Sequence, residues 1–156
     1  MTTAYVTLRV GPELYAVPAS TVNEIVLLQP LTRVPSMPPA IRGLMNLRGT
    51  VMPVVDLARQ LGLGETAATT HTCAVVIDAE ADGVRAPMGI ITDEVQNVIM
   101  LAAGDIEPPP AFGATIDTAY LAGMTRLGGR YTLILDLTRI LAPDELLAAL
   151  EESSHD

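Results

Sequence analysis

The sequence predicts an all-β protein, mainly strands with a few short helices, and three observations carry that prediction. Short alternating or apolar runs recur along nearly all 156 residues, each bounded by Gly, Pro, Asn or Asp at close spacing. Helical spacing is confined to brief stretches, "DLARQLG" at 56–62 and "PDELLAALEES" near the end of the chain. A segment of the second half also repeats one of the first without a gap, so the strands belong to a duplicated unit. Small barrels or sandwiches are the architectures that fit.

Taken in order, Tyr5–Val10 alternates as Y-V-T-L-R-V and stops at Gly11-Pro12, a strand and its turn, with Leu14–Val17 as the returning strand. Ser20 or Thr21 caps one or two helical turns, with Glu24 near the first of them, before a strand through Leu28. Pro30, Pro35, Pro38 and Pro39 leave room only for a short helix from about Pro39 to Gly43. From Leu44 to Val55 two apolar runs flank Arg48-Gly49, a hairpin or sharp bend, and the short helix that follows is capped by Asp56 and ended by Gly62. Residues 64–71 read as a polar surface loop. Two strands at about 72–79 and 85–92 join at Asp82-Gly83, and "DEVQNVIML" has the pattern of "NEIVLL". A proline-rich connector, "DIEPPPAFG", leads to a last hairpin, 120–127 and 130–135 around Gly128-Gly129, and to a terminal amphipathic helix at about 143–152.

Shifting residues 41–61 by 80 gives seven identities: Gly43/Gly123, Leu47/Leu127, Gly49/Gly129, Asp56/Asp136, Leu57/Leu137, Arg59/Arg139 and Leu61/Leu141. A shift of 73 pairs Val22 with Val95, Ile25 with Val98 and Pro35 with Pro108. The repeat spans about 14–61 and 87–141 and implies two similar small barrels with a concave seam between them.

Composition removes several functions. The core must be aliphatic, since hydrophobic residues make up 49% and aromatics 3%. The formal charge is −9 and all nine cations are Arg, so there is no basic face for nucleic acid. The single Cys73, in an apolar run, fits an inert thiol in a reducing compartment. No basic start or long apolar segment marks a signal peptide, and no span is long enough to cross a membrane as a helix, so a cytoplasmic, standalone protein is expected. His71 and His155 lack partners at metal-ligand spacing, and no glycine pattern cradles a phosphate; neither metal nor cofactor is expected.

Asp56 and Asp136 stand where a strand gives way to a helix, and helix capping explains both. A catalytic pair would require them to share one cavity with a raised pKa. Arg59 and Arg139 read as solvated or locally paired. Arg48, Glu24 and Arg42 remain unassigned. The position answering to Arg48 is Gly128, so the backbone requires no charge there. Arg48 is then either an exposed turn arginine or a donor directed at a partner.

"GLMNLRGTVMPVVDLARQLG", with "YAVPASTVNEIV" and "TRVPSMPPAIRG" before it and "MGIITDEVQNVIML", "IEPPP" and "YLAGMTRLGGRYTLILDL" after it, resembles the CheW family of chemotaxis coupling proteins. The resemblance runs from about Tyr5 to Leu141. It implies a single CheW-like domain of two intertwined five-stranded β-barrels related by pseudo-symmetry. It also implies a non-enzymatic scaffold joining the regulatory domain of a CheA-type histidine kinase to the cytoplasmic tips of transmembrane, methyl-accepting chemoreceptors. Self-association in array rings, recruitment to membrane-associated arrays without insertion, and the absence of catalytic residues follow from the same resemblance. By motif, Arg48 falls on the family's coupling arginine, and Val22, Glu24, Gly43 and Gly89 fall around its receptor-binding groove. At Gly43 and Gly89 a side chain could equally just distort a barrel. One departure is Thr92-Asp93-Glu94-Val95, where the family has V-D-x-V; a buried threonine is expected. An adaptor of another chemosensory pathway, controlling pili, development or a second messenger, and a regulatory fragment of a multidomain kinase or of a response-regulator fusion share this pattern.

Overall fold

The computed structural model describes residues 1–81, 84–109 and 116–141. The first half contains β1 (Thr2–Val10), β2 (Glu13–Pro18), a 3-10 turn at Ala19–Thr21, β3 (Glu24–Leu27), β4 (Leu31–Thr32), β5 (Ile41–Leu47), β6 (Thr50–Asp56) and the one-turn helix α1 (Leu57–Gln60). The second contains β7 (Cys73–Ala81), β8 (Val84–Thr92), β9 (Glu94–Ala102), 3-10 turns at Ala103–Asp105 and Thr118–Tyr120, β10 (Leu121–Leu127), β11 (Arg130–Leu135) and α2 (Leu137–Ile140). The Asp82-Gly83 turn and the terminal helix expected at about 143–152 lie outside the described residues.

Two local expectations need correction. No helix occupies Pro39–Gly43: residues 39–40 form a turn closed by Ile41 N donating to Pro38 O at 2.9 Å, and Ile41–Gly43 already belong to β5. Strand pairing wins because Gly43 faces Val54 on β6 while Leu44 pairs with Thr32 on β4. Neither Ser20 nor Thr21 caps the turn at Ala19–Thr21; the Thr21 hydroxyl donates back to the Pro18 carbonyl at 2.8 Å.

The fold is all-β, but its sheets do not follow the halves of the chain. The five-stranded sheet runs β10-β11-β2-β1-β9, and the six-stranded sheet runs β3-β7-β8-β6-β5-β4. Each half gives its first hairpin to the sheet of the other. The junctions are the two parallel ladders, β6 with β8 and β11 with β2, while the other ladders are antiparallel. The offset of 80 superposes β5-β6-α1 on β10-β11-α2, and 73 superposes β2 on β8 and β3 on part of β9. A third offset, 69, which sequence identity did not reveal, relates β1 to β7: Leu8 faces Tyr15 as Ile77 faces Met88.

A sixth strand in the second sheet arises because β4 makes two pairs with β5, whereas its counterpart is the single bridge Glu107–Met124. In both sheets the chain after an outer strand, β3 or β9, soon crosses to the opposite side of the sheet, where Leu31 pairs with Met45 of β5 and Glu107 bridges to Met124 of β10, so each sheet curls. The ladders leave β3 and β4, and β9 and β10, as outer strands, and describe no closed ring among these residues.

The largest apolar cluster is built by both halves: Leu8, Tyr15, Val17, Val55, Val75, Met88, Ile90 and Leu135, sealed by Leu57 and Leu61 around α1 and by Leu137, Ile140 and Leu141 around α2. Burying each such side chain contributes about 1.5–3 kcal/mol. Smaller clusters line each sheet alone, around Met45, Val54 and Ile91 in one and Ala16, Leu101 and Ile134 in the other.

Two glycines are required by close approach. A Cβ on Gly43 would lie 2.6 Å from the Thr32 carbonyl oxygen, and one on Gly123 would lie 2.9 Å from that of Glu107. Both glycines sit at the same register shift of their hairpins. Backbone cannot step aside as a side chain can, so Gly43→Ala and Gly123→Ala should each lose about 1–3 kcal/mol in urea denaturation. Gly89→Ala should lose less, because its Cβ would meet only the side chains of Val54 and Met45, the nearest at 3.3 Å.

Candidate functional site

The β5–β6 hairpin has a two-residue loop, with Leu47 facing Thr50 across it. Arg48 and Gly49 both take left-handed backbone, φ 52° and 88°, the arrangement that matches strand twist in such a turn. Asn46 Oδ1 accepts from Gly49 N at 2.9 Å and holds the turn. In the second copy the same positions are Gly128 and Gly129, φ 56° and 81°. Left-handed backbone disfavours any residue with a Cβ, so Arg48 occupies a position better suited to glycine.

Its guanidinium Nη2 donates to Glu24 Oε2 on β3, and the pair is exposed on the Arg48 side. That hydrogen bond holds the Glu24 carboxyl below the usual carboxylate range, outweighing desolvation, and the charge of Arg48 adds a smaller pull in the same direction. Reciprocally, the bond to Glu24 raises the Arg48 guanidinium. The contact spans strands far apart in the sheet order and is possible because the sheet curls. Along β3, exposed Ile25 and Leu27 alternate with Glu24 and so lie on the other face of the strand, as exposed Val51 does relative to buried Met52 on β6.

Three of the five singled-out residues share one cross-strand row: Glu24 faces Val76, Val76 faces Gly89, Gly89 faces Val54, and Val54 faces Gly43. Both glycines in it are buried inside the sheet, and neither presents itself to a partner. Val22 is half-buried against the shared core. The structure therefore brings Glu24 and Arg48 together at the surface and sets Gly43, Gly89 and Val22 behind them as support. The other sheet has the equivalent row: Thr7, whose hydroxyl bonds the backbone of Asn97, then Ala16, Ile134 and Gly123.

The two aspartates diverge. Asp136 caps α2, its Oδ1 accepting from Arg139 N at 3.2 Å. Asp56 makes no cap; it is wholly buried and accepts from Arg42 Nη1 and Thr66 N, each at 2.9 Å, and from the Thr66 hydroxyl at 2.8 Å. The cause is Arg42, whose counterpart is Ala122: a guanidinium beside Asp56 outcompetes the helix end. Thr66, in the loop expected to be wholly surface, is buried by the same bonds. Arg59 lies 3.9 Å from Glu65, and Arg139 lies 3.5 Å from Asp136, both local pairs as expected. The two carboxylates thus serve different partners, Arg42 and Thr66 for Asp56 and the end of α2 for Asp136.

Among the described residues no group of three or more His, Cys, Asp or Glu side chains could hold a metal, and no helix is long and apolar enough to cross a membrane. Cys73 is half-buried at the start of β7, less enclosed than its apolar run suggested, with Sγ 3.4 Å from His71 O. Thr92 is buried as expected, and its hydroxyl has no hydrogen-bond partner among the described residues.

A duplicated all-β chain whose two repeated aspartates serve structure, and whose most singular side chain is an arginine offered at a hairpin tip, is a binding scaffold in form. The CheW-like domain family matches residues 4–145, and the chain belongs to that family. It is 32% identical over 136 residues to the chemotaxis protein CheW of Klebsiella aerogenes, covering 87% of this chain and 80% of that one. It is also 32% identical over 144 residues to CheW of Bacillus subtilis, covering 90% and 87%. The crystal structure of the scaffolding protein TtCheW from Thermoanaerobacter tengcongensis superposes with a TM-score of 0.81 at 30% identity, covering 93% of this chain and 91% of that one.

Arg42→Ala strands a buried carboxylate and should lower unfolding free energy by about 3 kcal/mol in urea. Asp136→Ala, which removes only a cap, should cost about 1 kcal/mol. The Glu24 carboxyl, followed by NMR through an acid titration, should ionise below its ordinary range, and Arg48→Ala should return it there. Because that pKa is depressed on folding, the stabilisation it brings is present above the ordinary glutamate pKa and fades as pH falls through the folded value.

Proposed function

We propose that the chain is a chemotaxis adaptor that joins the cytoplasmic tips of transmembrane chemoreceptors to the regulatory domain of a CheA-type histidine kinase and catalyses nothing itself. The observation that carries this reading is Arg48: the hairpin would be better served by glycine, as in the second copy, yet an arginine stands there with Glu24 across from it. A charge kept at a conformational cost is accounted for by what it contacts. Family membership supplies the signalling context. In this reading Arg48 and Glu24 set orientation, and exposed Ile25, Leu27 and Val51 give apolar area on the outer face of the same strands. Val22, Gly43 and Gly89 shape the surface from behind. The chain works as one domain in the cytoplasm, is recruited to membrane-associated receptor arrays, and self-associates in their rings.

Purified protein should retain a CheA regulatory domain in pull-down at concentrations on the order of tens of micromolar. Arg48→Ala should lower receptor-dependent kinase activity at least about tenfold, the effect of losing an interface anchor. Arg48→Gly should lose the same activity while raising the thermal midpoint, since it relieves the turn. If the kinase domain is not retained, or both variants couple normally, the reading fails.

A further inference from the structure

A cavity of 470 Å³ opens at the seam between the two sheets, where the β1–β2 turn, the segment after α1 and the β8–β9 junction meet. A second cavity, of 410 Å³, lies at the pseudo-symmetric place. The three offsets map one onto the other: Val10 answers to Ala79, Tyr15 to Met88, Asp93 to Ser20 and Ala58 to Thr138. Both hollows follow from the duplicated architecture, so a difference between them is not dictated by it.

The difference is one of charge and polarity. The first cavity carries Glu13, Glu65 and Asp93 and no cation in its lining, whereas the second carries Asp78 with Arg85. Glu65 is already held by Arg42 at 3.5 Å and Arg59 at 3.9 Å. Asp93 uses Oδ2 to accept from Gly11 N at 2.7 Å, and among the described residues no cation pairs with Asp93 or Glu13. Tyr15 is the second, independent observation. It is 3% exposed, lines the cavity, and its hydroxyl has no hydrogen-bond partner among the described residues. Burial chiefly, and the Glu13 charge next, push its phenol upward, so its oxygen lies within the field of that carboxylate.

We propose that this cavity binds an alkylammonium group. The aliphatic stem lies along Val10, Ala58 and Leu63, and the ammonium donates to Tyr15 Oη and to the carboxylates of Asp93 and Glu13. An ammonium has three donors and needs acceptors on several sides, which this lining provides. An anion would meet unpaired carboxylates, and an apolar group would leave the buried phenol unsatisfied. The same chemistry is carried by a free polyamine and by a lysine side chain of a protein partner. The inference does not rest on the adaptor reading.

The test is a titration of the full chain, followed by amide NMR, with cadaverine, N-acetyl-lysine amide and, as an uncharged stem of the same length, N-acetyl-norleucine amide. Cadaverine and the lysine derivative should give saturable shifts at Gly11, Thr66 and Asp93, and the norleucine derivative none. The Glu13→Gln/Asp93→Asn pair should weaken binding about tenfold or more, and Tyr15→Phe about fivefold, with folding checked by circular dichroism. Asp93→Asn keeps an acceptor for Gly11 N. Tighter binding of cadaverine assigns the site to free polyamines, and tighter binding of the lysine derivative assigns it to a partner's lysine. Shifts that do not saturate, that spread evenly over the acidic surface, that the norleucine derivative reproduces, or that survive the variants would overturn the proposal.

Discussion

Everything in this fold hangs on an exchange of hairpins. The strands β1 and β2 cannot complete a sheet with β5 and β6 of their own half; they join β11 and β9 of the other, while β7 and β8 fill the matching place beside β6 and β3. The joints are short parallel ladders, three residue pairs between β6 and β8 and two between β11 and β2. Ladders so brief cannot hold two sheets together alone. What holds them is the shared core, in which Val17 and Leu135 of one sheet pack in the same cluster as Val75 and Ile90 of the other.

A duplicated frame of this kind separates construction from use. Gly43 and Gly123 approach backbone at the same place in each sheet, and the hairpins turn with the same backbone signs, because both copies must solve the same steric problem. Arg48, Arg42 and Tyr15 stand where the other copy has Gly128, Ala122 and Met88, and the frame requires none of them. Each has its own physical outlet: Arg48 reaches the surface, Arg42 neutralises a buried carboxylate, and Tyr15 turns an apolar seam polar.

The architecture was legible in the sequence where residue identity and spacing agreed. The offset of 80 aligned two hairpins whose ladders repeat residue for residue, and the Arg48-Gly49 turn is where two apolar runs placed it. The relation of β1 to β7 was not legible, because alternating strands of different composition share burial and not letters. Asp56 misled for a similar reason. Its neighbours along the chain are those of a helix cap, and only the contrast of Arg42 with Ala122, fourteen residues away, distinguishes it from Asp136. Of the candidate site, the pairing of Arg48 with Glu24 depends on how a sheet curls, which no local pattern encodes; the burial of Gly43 and Gly89 depends on the same thing.

The exchange of hairpins also governs when the molecule can form. Thr2 pairs with Ala102, and Tyr15 with Leu133, so the N-terminal hairpin has no sheet to join until most of the chain exists. At a synthesis rate of roughly 5–20 residues per second, β1 waits several seconds for β9, and β2 waits longer for β11. During that interval its apolar face, Val6, Leu8 and Val10, is uncovered and one edge is open to any strand that passes, including that of a neighbouring nascent chain. Contacts of such long sequence separation place folding in the slow regime of β proteins. An intertwined scaffold is thus most exposed to misassembly before its release, at the stage when chaperones act on it.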